Sequence, residues 1–167
     1  SYNAAFGYAA LSSATLGVKN TGIGASALRS NVTGSNNVAI GYQSLYTADA
    51  TNNNAAVGYQ SLYSTTNGDY NSVLGHQAMY TNTTGSRSVA IGYQSLYSNT
   101  TGQYNVAIGH LALYTADATQ NNTAIGYTAM RLTTTGDYNV AVGSGTLYNN
   151  TTGAYNVAIG VNAPVSY

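Results

Sequence analysis

Small, large apolar and polar residues recur along this chain with a strict period of 17. If each unit is taken to begin four residues before a marker glycine, the unit from Ser88 to Tyr104 reads Ser-Val-Ala-Ile-Gly-Tyr-Gln-Ser-Leu-Tyr-Ser-Asn-Thr-Thr-Gly-Gln-Tyr. Position 4 is large and apolar in every unit: Phe6, Ile23, Ile40, Val57, Leu74, Ile91, Ile108, Ile125, Val142 and Ile159. Position 9 is Leu or Met in nine units, from Leu11 to Leu147, and Pro164 in the last. Positions 3 and 8 are small nearly everywhere, as in Ala39, Ala56, Ala90, Ser44, Ser61 and Ala78. Position 2 is often β-branched (Val38, Val89, Val106, Thr123), which favours strands. Position 5 is glycine without exception: Gly7, Gly24, Gly41, Gly58, Gly75, Gly92, Gly109, Gly126, Gly143 and Gly160.

This pattern predicts two short strands and a loop per unit. The first strand covers about positions 1 to 4 and the second about 6 to 10, with the position-5 glycine as the structural turn between them. Positions 11 to 16 carry turn chemistry, such as Ser98-Asn-Thr-Thr-Gly-Gln103, where Gly or Asn supplies a positive φ. Two units carry Thr47-Ala-Asp-Ala-Thr51 and Thr115-Ala-Asp-Ala-Thr119 there instead, four repeats apart. Side-chain alternation places positions 2 and 4 on one face and 7 and 9 on another. The large residues at 4 and 9 are then expected to meet inside a flat, two-walled coil. The Gln43, Gln60, Gln77 and Gln94 column at position 7 fits this poorly, and must ladder or lie at the coil's edge. A helix is disfavoured by the recurring Gly, Thr and Asn. The expected fold is all-β: a parallel β-solenoid of ten 17-residue coils, one repeat array over residues 1–167.

Composition narrows the function classes. Only 5% of residues are charged and the formal net charge is zero, so no strong field steers a polyanion or anionic lipid. All formal charges sit at positions 10, 13, 16 or 17. Positions 1 to 9 carry none, so part of the coil is either buried in the chain or covered by another. There is no cysteine to form a disulfide. No apolar run reaches the roughly 20 residues of a membrane helix, and no leader pattern opens the sequence.

The 17 tyrosines fall mostly into columns. Position 6 holds Tyr8, Tyr42, Tyr59, Tyr93 and Tyr127. Position 10 holds Tyr46, Tyr63, Tyr80, Tyr97, Tyr114 and Tyr148. Position 17 holds Tyr2, Tyr70, Tyr104, Tyr138 and Tyr155. Coils about 4.8 Å apart would stack neighbouring rings into structural ladders. The sharper reading makes the columns at positions 6 and 10 an exposed strip that grips a glycan or another surface. The position-1 asparagines (Asn37, Asn54, Asn71, Asn105, Asn122, Asn139, Asn156) are expected to form an amide ladder. Catalysis has little support. Equivalent carboxylates such as Asp49 and Asp117 lie four coils apart, and His76 and His110 replace tyrosine in its own column. No His, Cys or carboxylate cluster suggests a metal, and no cofactor is expected.

The string Asn-Val-Ala-Ile-Gly (Asn37 to Gly41, Asn105 to Gly109, Asn156 to Gly160) resembles the head repeat of trimeric autotransporter adhesins, the YadA-like heads. Asn122-Thr-Ala-Ile-Gly-Tyr-Thr-Ala-Met130 is similar to related phage tail-fibre repeats. The resemblance spans essentially the whole chain. It implies a left-handed β-roll, a homotrimer, and a structural and adhesive fibre segment on a cell surface or virion tail, extracellular and binding host receptors or surface glycans. The longer period departs from the adhesin head, which has shorter coils. The uncapped array is expected to be a fragment of a longer fibre. Two alternatives stay open: a self-assembling filament subunit associating end to end, and an ice-binding solenoid. Nothing in the sequence suggests nucleic acid or membrane insertion.

Overall fold

The structure, a computed structural model, describes residues 2–164. The described residues contain ten three-residue strands and no helix. β1 is Ala4–Phe6, β3 is Val38–Ile40, β4 is Ala55–Val57 and β10 is Val157–Ile159; every strand occupies positions 2 to 4 of its unit. They pair in parallel and in chain order, one coil apart, as in Val38↔Ala55, Ala39↔Ala56 and Ile40↔Val57. The chain is a β-solenoid of 17-residue coils, as the period requires.

The expected second strand is absent. Positions 6 to 11 are continuous turns. All 27 non-glycine residues with positive φ fall at positions 7, 9 and 17, nine in each, with values from 48° to 60°. Gln60 (49°), Leu62 (51°) and Tyr70 (59°) show the pattern in one unit. A left-handed residue every second position cannot run as an extended strand. The position-5 glycine therefore ends the only strand and opens the turn wall. Its φ of 124° to 153° is one that side chains avoid.

The turn wall is nevertheless hydrogen-bonded from coil to coil. In the third unit Val38 N–H donates to Asn54 O (2.8 Å), Gly41 to Ile23 O (2.8 Å), Gln43 to Ala25 O (3.0 Å), Leu45 to Ser61 O (2.9 Å), Thr47 to Tyr63 O (3.1 Å) and Asn53 to Ser35 O (3.0 Å). The partners alternate between the coil before and the coil after. Coil-to-coil backbone bonds thus run through the turn wall as well as the strand, which lets so many left-handed residues persist.

The core is narrow and differs from the expected one. Position 3, the strand's middle residue, points inward: Ala39, Ala56, Ala90, Ala107, Ala124 and Ala141 are all fully buried. Facing it are position 9 (Leu28, Leu45, Leu62, Met79, Leu96, Leu113, Met130) and position 8, also buried. At Gly22, a Cβ would lie 3.3 Å from Leu11 Cγ and 3.4 Å from Ala27 O, so small and large walls touch directly. Position 4 is not inside. Ile40 and Ile91 are each 37% exposed and Leu74 is 51% exposed, because a three-residue strand sends its two ends to the face opposite its middle.

Buried amides fix the remaining corner. Asn37 Nδ2 donates to Thr51 O (2.7 Å), and its Oδ1 accepts the Asn54 backbone N–H (3.0 Å); Asn54 and Asn71 repeat the scheme. The amide ladder expected at position 1 is present. The Gln column also ladders, with Nε2–Oε1 distances of 2.8 to 3.0 Å from Gln43 to Gln94. A second Asn column, at position 12, turns onto the carbonyl of position 15, as Asn82 does to Gly85 (3.0 Å). A Cβ on Gly85 would lie 2.3 Å from Asn82 Oδ1. Asn at position 12 therefore requires Gly at 15. The two Thr-Ala-Asp-Ala-Thr loops have Ala48 and Ala116 at 12, and there Thr51 and Thr119 fit at 15.

Candidate functional site

Because every coil is built alike, side chains of one position form a column along the solenoid. Position 6 stacks as Tyr42, Tyr59, His76, Tyr93, His110 and Tyr127, with ring centroids 4.8 to 5.4 Å apart. Position 10 stacks as Tyr46, Tyr63, Tyr80, Tyr97 and Tyr114 at 5.0 to 5.4 Å. Tyr148, in the same column, is reached through Arg131. The position-6 tyrosines are exposed and those at position 10 are half-buried. Within each stack the planes lie within 22° of parallel. Ring faces are therefore covered by neighbours, and the stacks present edges and phenol hydroxyls outward. His76 and His110 are members of the stack, each between two tyrosines.

Arginines complete these columns. The Arg131 guanidinium lies between Tyr114 and Tyr148, 5.8 Å from each centroid, and donates to Tyr148 Oη (2.6 Å). Arg87 lies between Tyr70 and Tyr104 at 5.7 and 5.5 Å and donates to Tyr104 Oη (3.1 Å). Arg29 covers Tyr46 at 5.7 Å. Their charges meet aromatic faces. Three of the four aspartates use a carboxylate oxygen between coils. Asp69 accepts the Asn52 N–H (2.6 Å), Asp137 accepts the Gln120 N–H (2.7 Å), and Asp117 bonds Thr100 Oγ1. Among the described residues no group of three or more His, Asp or Glu side chains comes together. A cavity of about 460 Å³ at the last described coil, lined by Leu147, Tyr148, Asn150, Asn162 and Pro164, has only the Tyr148 phenol as a titratable group.

Packing in the position-10 stack raises the Tyr63 and Tyr97 phenols above their ordinary value of 10.0, first through burial and then through repulsion from neighbouring phenolates. A raised folded value means that the neutral phenol supports the fold below the unfolded pKa of 10.0. That support is lost as pH rises through 10 toward the raised values. The melting temperature should stay level to about pH 9 and then fall as phenolate absorbance grows. Tyr63→Phe with Tyr97→Phe should make that fall shallower. An unchanged decline would place its cause outside this column.

The sequence pattern did not disclose the sheet's outer face. Positions 2 and 4 both point outward: position 4 is an apolar column through all ten coils, while position 2 beside it holds Val38, Val89, Val106, Val140 and Val157 but also Thr21, Ser72 and Thr123, half-buried to exposed. The available signal was position 3, small in every unit but that of Val73, which marks the inward side of a narrow interior. No family description, no curated protein and no solved structure matches this chain. Among the described residues no helix is long and apolar enough to cross a membrane.

Proposed function

We propose that this chain is a segment of a structural and adhesive fibre, extracellular on a cell surface or virion tail, in which copies lie side by side along their outer sheet faces. The observation that supports this most is the outer sheet face, whose position-4 column is apolar in every coil and whose position-2 column is Val in five coils and Ala, Ser or Thr in the others. It is free of formal charge, is unbroken by loops, and runs about 45 Å with its columns roughly 7 Å apart. A continuous apolar patch of this kind marks an interaction surface. The uncharged positions 1 to 9 divide into a buried part, the exposed position-6 rings and this uncovered sheet face, and a second copy of the same surface is the face's natural complement. The resemblance to adhesin heads favours three copies. Ligand contact on such a rod would be shallow and repeated, gaining strength from multivalency.

Sedimentation equilibrium of the purified chain tests the assembly. A discrete trimer is expected, and Ile40→Thr, Ile91→Thr and Ile108→Thr together should give a folded monomer because these side chains point outward. A native chain that stays monomeric at micromolar concentration would overturn the side-by-side reading. Open-ended growth would favour the filament alternative.

A further inference from the structure

Six places on the surface set two tyrosines of one column two coils apart with a different residue between them. Four of the intervening residues are planar side chains that carry or can take a positive charge, and all four lie between the flanking rings. They are Arg87 (Tyr70 and Tyr104), Arg131 (Tyr114 and Tyr148), His76 (Tyr59 and Tyr93) and His110 (Tyr93 and Tyr127). The remaining two hold residues too short to fill the gap: Ala25 between Tyr8 and Tyr42, and Asn121 between Tyr104 and Tyr138. Single steps between stacked rings measure 4.8 to 5.4 Å, so two steps open roughly 10 Å, room for one planar group between two faces.

We propose that the Tyr104–Asn121–Tyr138 gap is a binding slot for one planar cation, the guanidinium of an arginine side chain on a partner. The chain itself shows the occupied form one step away, on the same column: Arg87 stacks on the other face of Tyr104. Asn121 has a φ of 56°. Asn tolerates that backbone better than most residues, so its presence meets a backbone need, and its side chain is shorter than the arginine that reaches the ring faces at Arg87. Tyr104 is 47% exposed and Tyr138 is 49% exposed, so the slot opens to solvent. A carboxylate stands beside it: Asp137 immediately precedes Tyr138 and is fixed by the Gln120 N–H (2.7 Å). The occupied slot lacks this companion: Asp69 precedes Tyr70, the first of its two rings, and is turned to the Asn52 N–H on the coil before, away from Arg87. The gap over Ala25 has no aspartate beside its tyrosines in sequence, so the assignment is confined to Asn121. Two aromatic faces and a nearby carboxylate suit a delocalised, weakly hydrated guanidinium better than a compact ammonium. The inference stands whether or not the segment is adhesive.

The test is ring-selective tyrosine NMR of the intact chain titrated with the capped peptide Gly-Gly-Arg-Gly-Gly, its lysine counterpart, and N-acetyltyrosinamide as a neutral ring. The arginine peptide should shift Tyr104 and Tyr138 alone, with a dissociation constant on the order of 10 mM. The lysine peptide should bind at least about threefold more weakly. Asn121→Arg, with its fold checked by circular dichroism, should fill the slot and abolish the shifts. Tyr138→Asn, which puts a left-handed-tolerant residue at that position and removes one wall, should also abolish them. Equal binding of lysine or the neutral ring, shifts spread over all tyrosines, no shift at all, or full binding by Asn121→Arg would each overturn the proposal.

Discussion

Gly58→Ala is expected to cost on the order of 4 kcal/mol, enough to break the array near its fourth coil. Two separate effects add. The residue sits at φ +137°, which an L side chain tolerates badly, and a Cβ there would lie 2.2 Å from Gly75 O on the next coil. That oxygen belongs to backbone held in the coil ladder, so it cannot rotate away. Gly160 separates the two effects. Its φ is +128°, but among the described residues no atom lies within 4 Å of the place a methyl group would take, so Gly160→Ala should cost only about 1 kcal/mol. Urea denaturation followed by circular dichroism reads both. Gly58→Ala should also lower the denaturant slope, because coils on either side would unfold separately. Equal costs for the two variants would mean that the coils are not in contact at this column.

Leu96→Ala should cost about 3 kcal/mol, since it empties a fully buried position between Met79 and Leu113 in a core one side chain deep. Ile91→Ala, five residues earlier and 37% exposed, should cost less than about 1 kcal/mol where the chain is monomeric. The comparison decides which residues face inward. If position 4 were inside, as alternation across two strands implies, the two losses would be alike. Under assembling conditions Ile91→Ala should instead lower association, which links the same side chain to the proposed interface.

The 17-residue period made the register of the stack legible, and with it the parallel order, the amide ladders and the ring columns. Each follows from identical residues returning one coil later. The turn wall was not legible, for a physical reason. Left-handed backbone is usually announced by Gly or Asn. Here positions 7 and 9 are held by Gln60, Leu62, Gln77, Met79, Gln94 and Leu96, which carry no such signal. Their conformations are imposed by bonds to neighbouring coils rather than by local preference. Once that wall is read as a strand, the parity of the true strand is misjudged and Ile91 is placed inside. The tyrosine columns were visible as columns. That stacking covers their faces, and that arginines fill two of the interruptions, depends on ring geometry that spacing does not specify.

The ladder that closes each coil onto the next runs along the solenoid axis, and this sets how the array responds to tension. A pull along the axis loads the coils in series, so the weakest coil opens first while the others stay shut. Each opened coil lengthens from about 4.8 Å to nearly 60 Å, roughly a twelvefold extension. A solenoid of this kind under load would lengthen in discrete steps of one repeat, staying continuous while it absorbs the displacement.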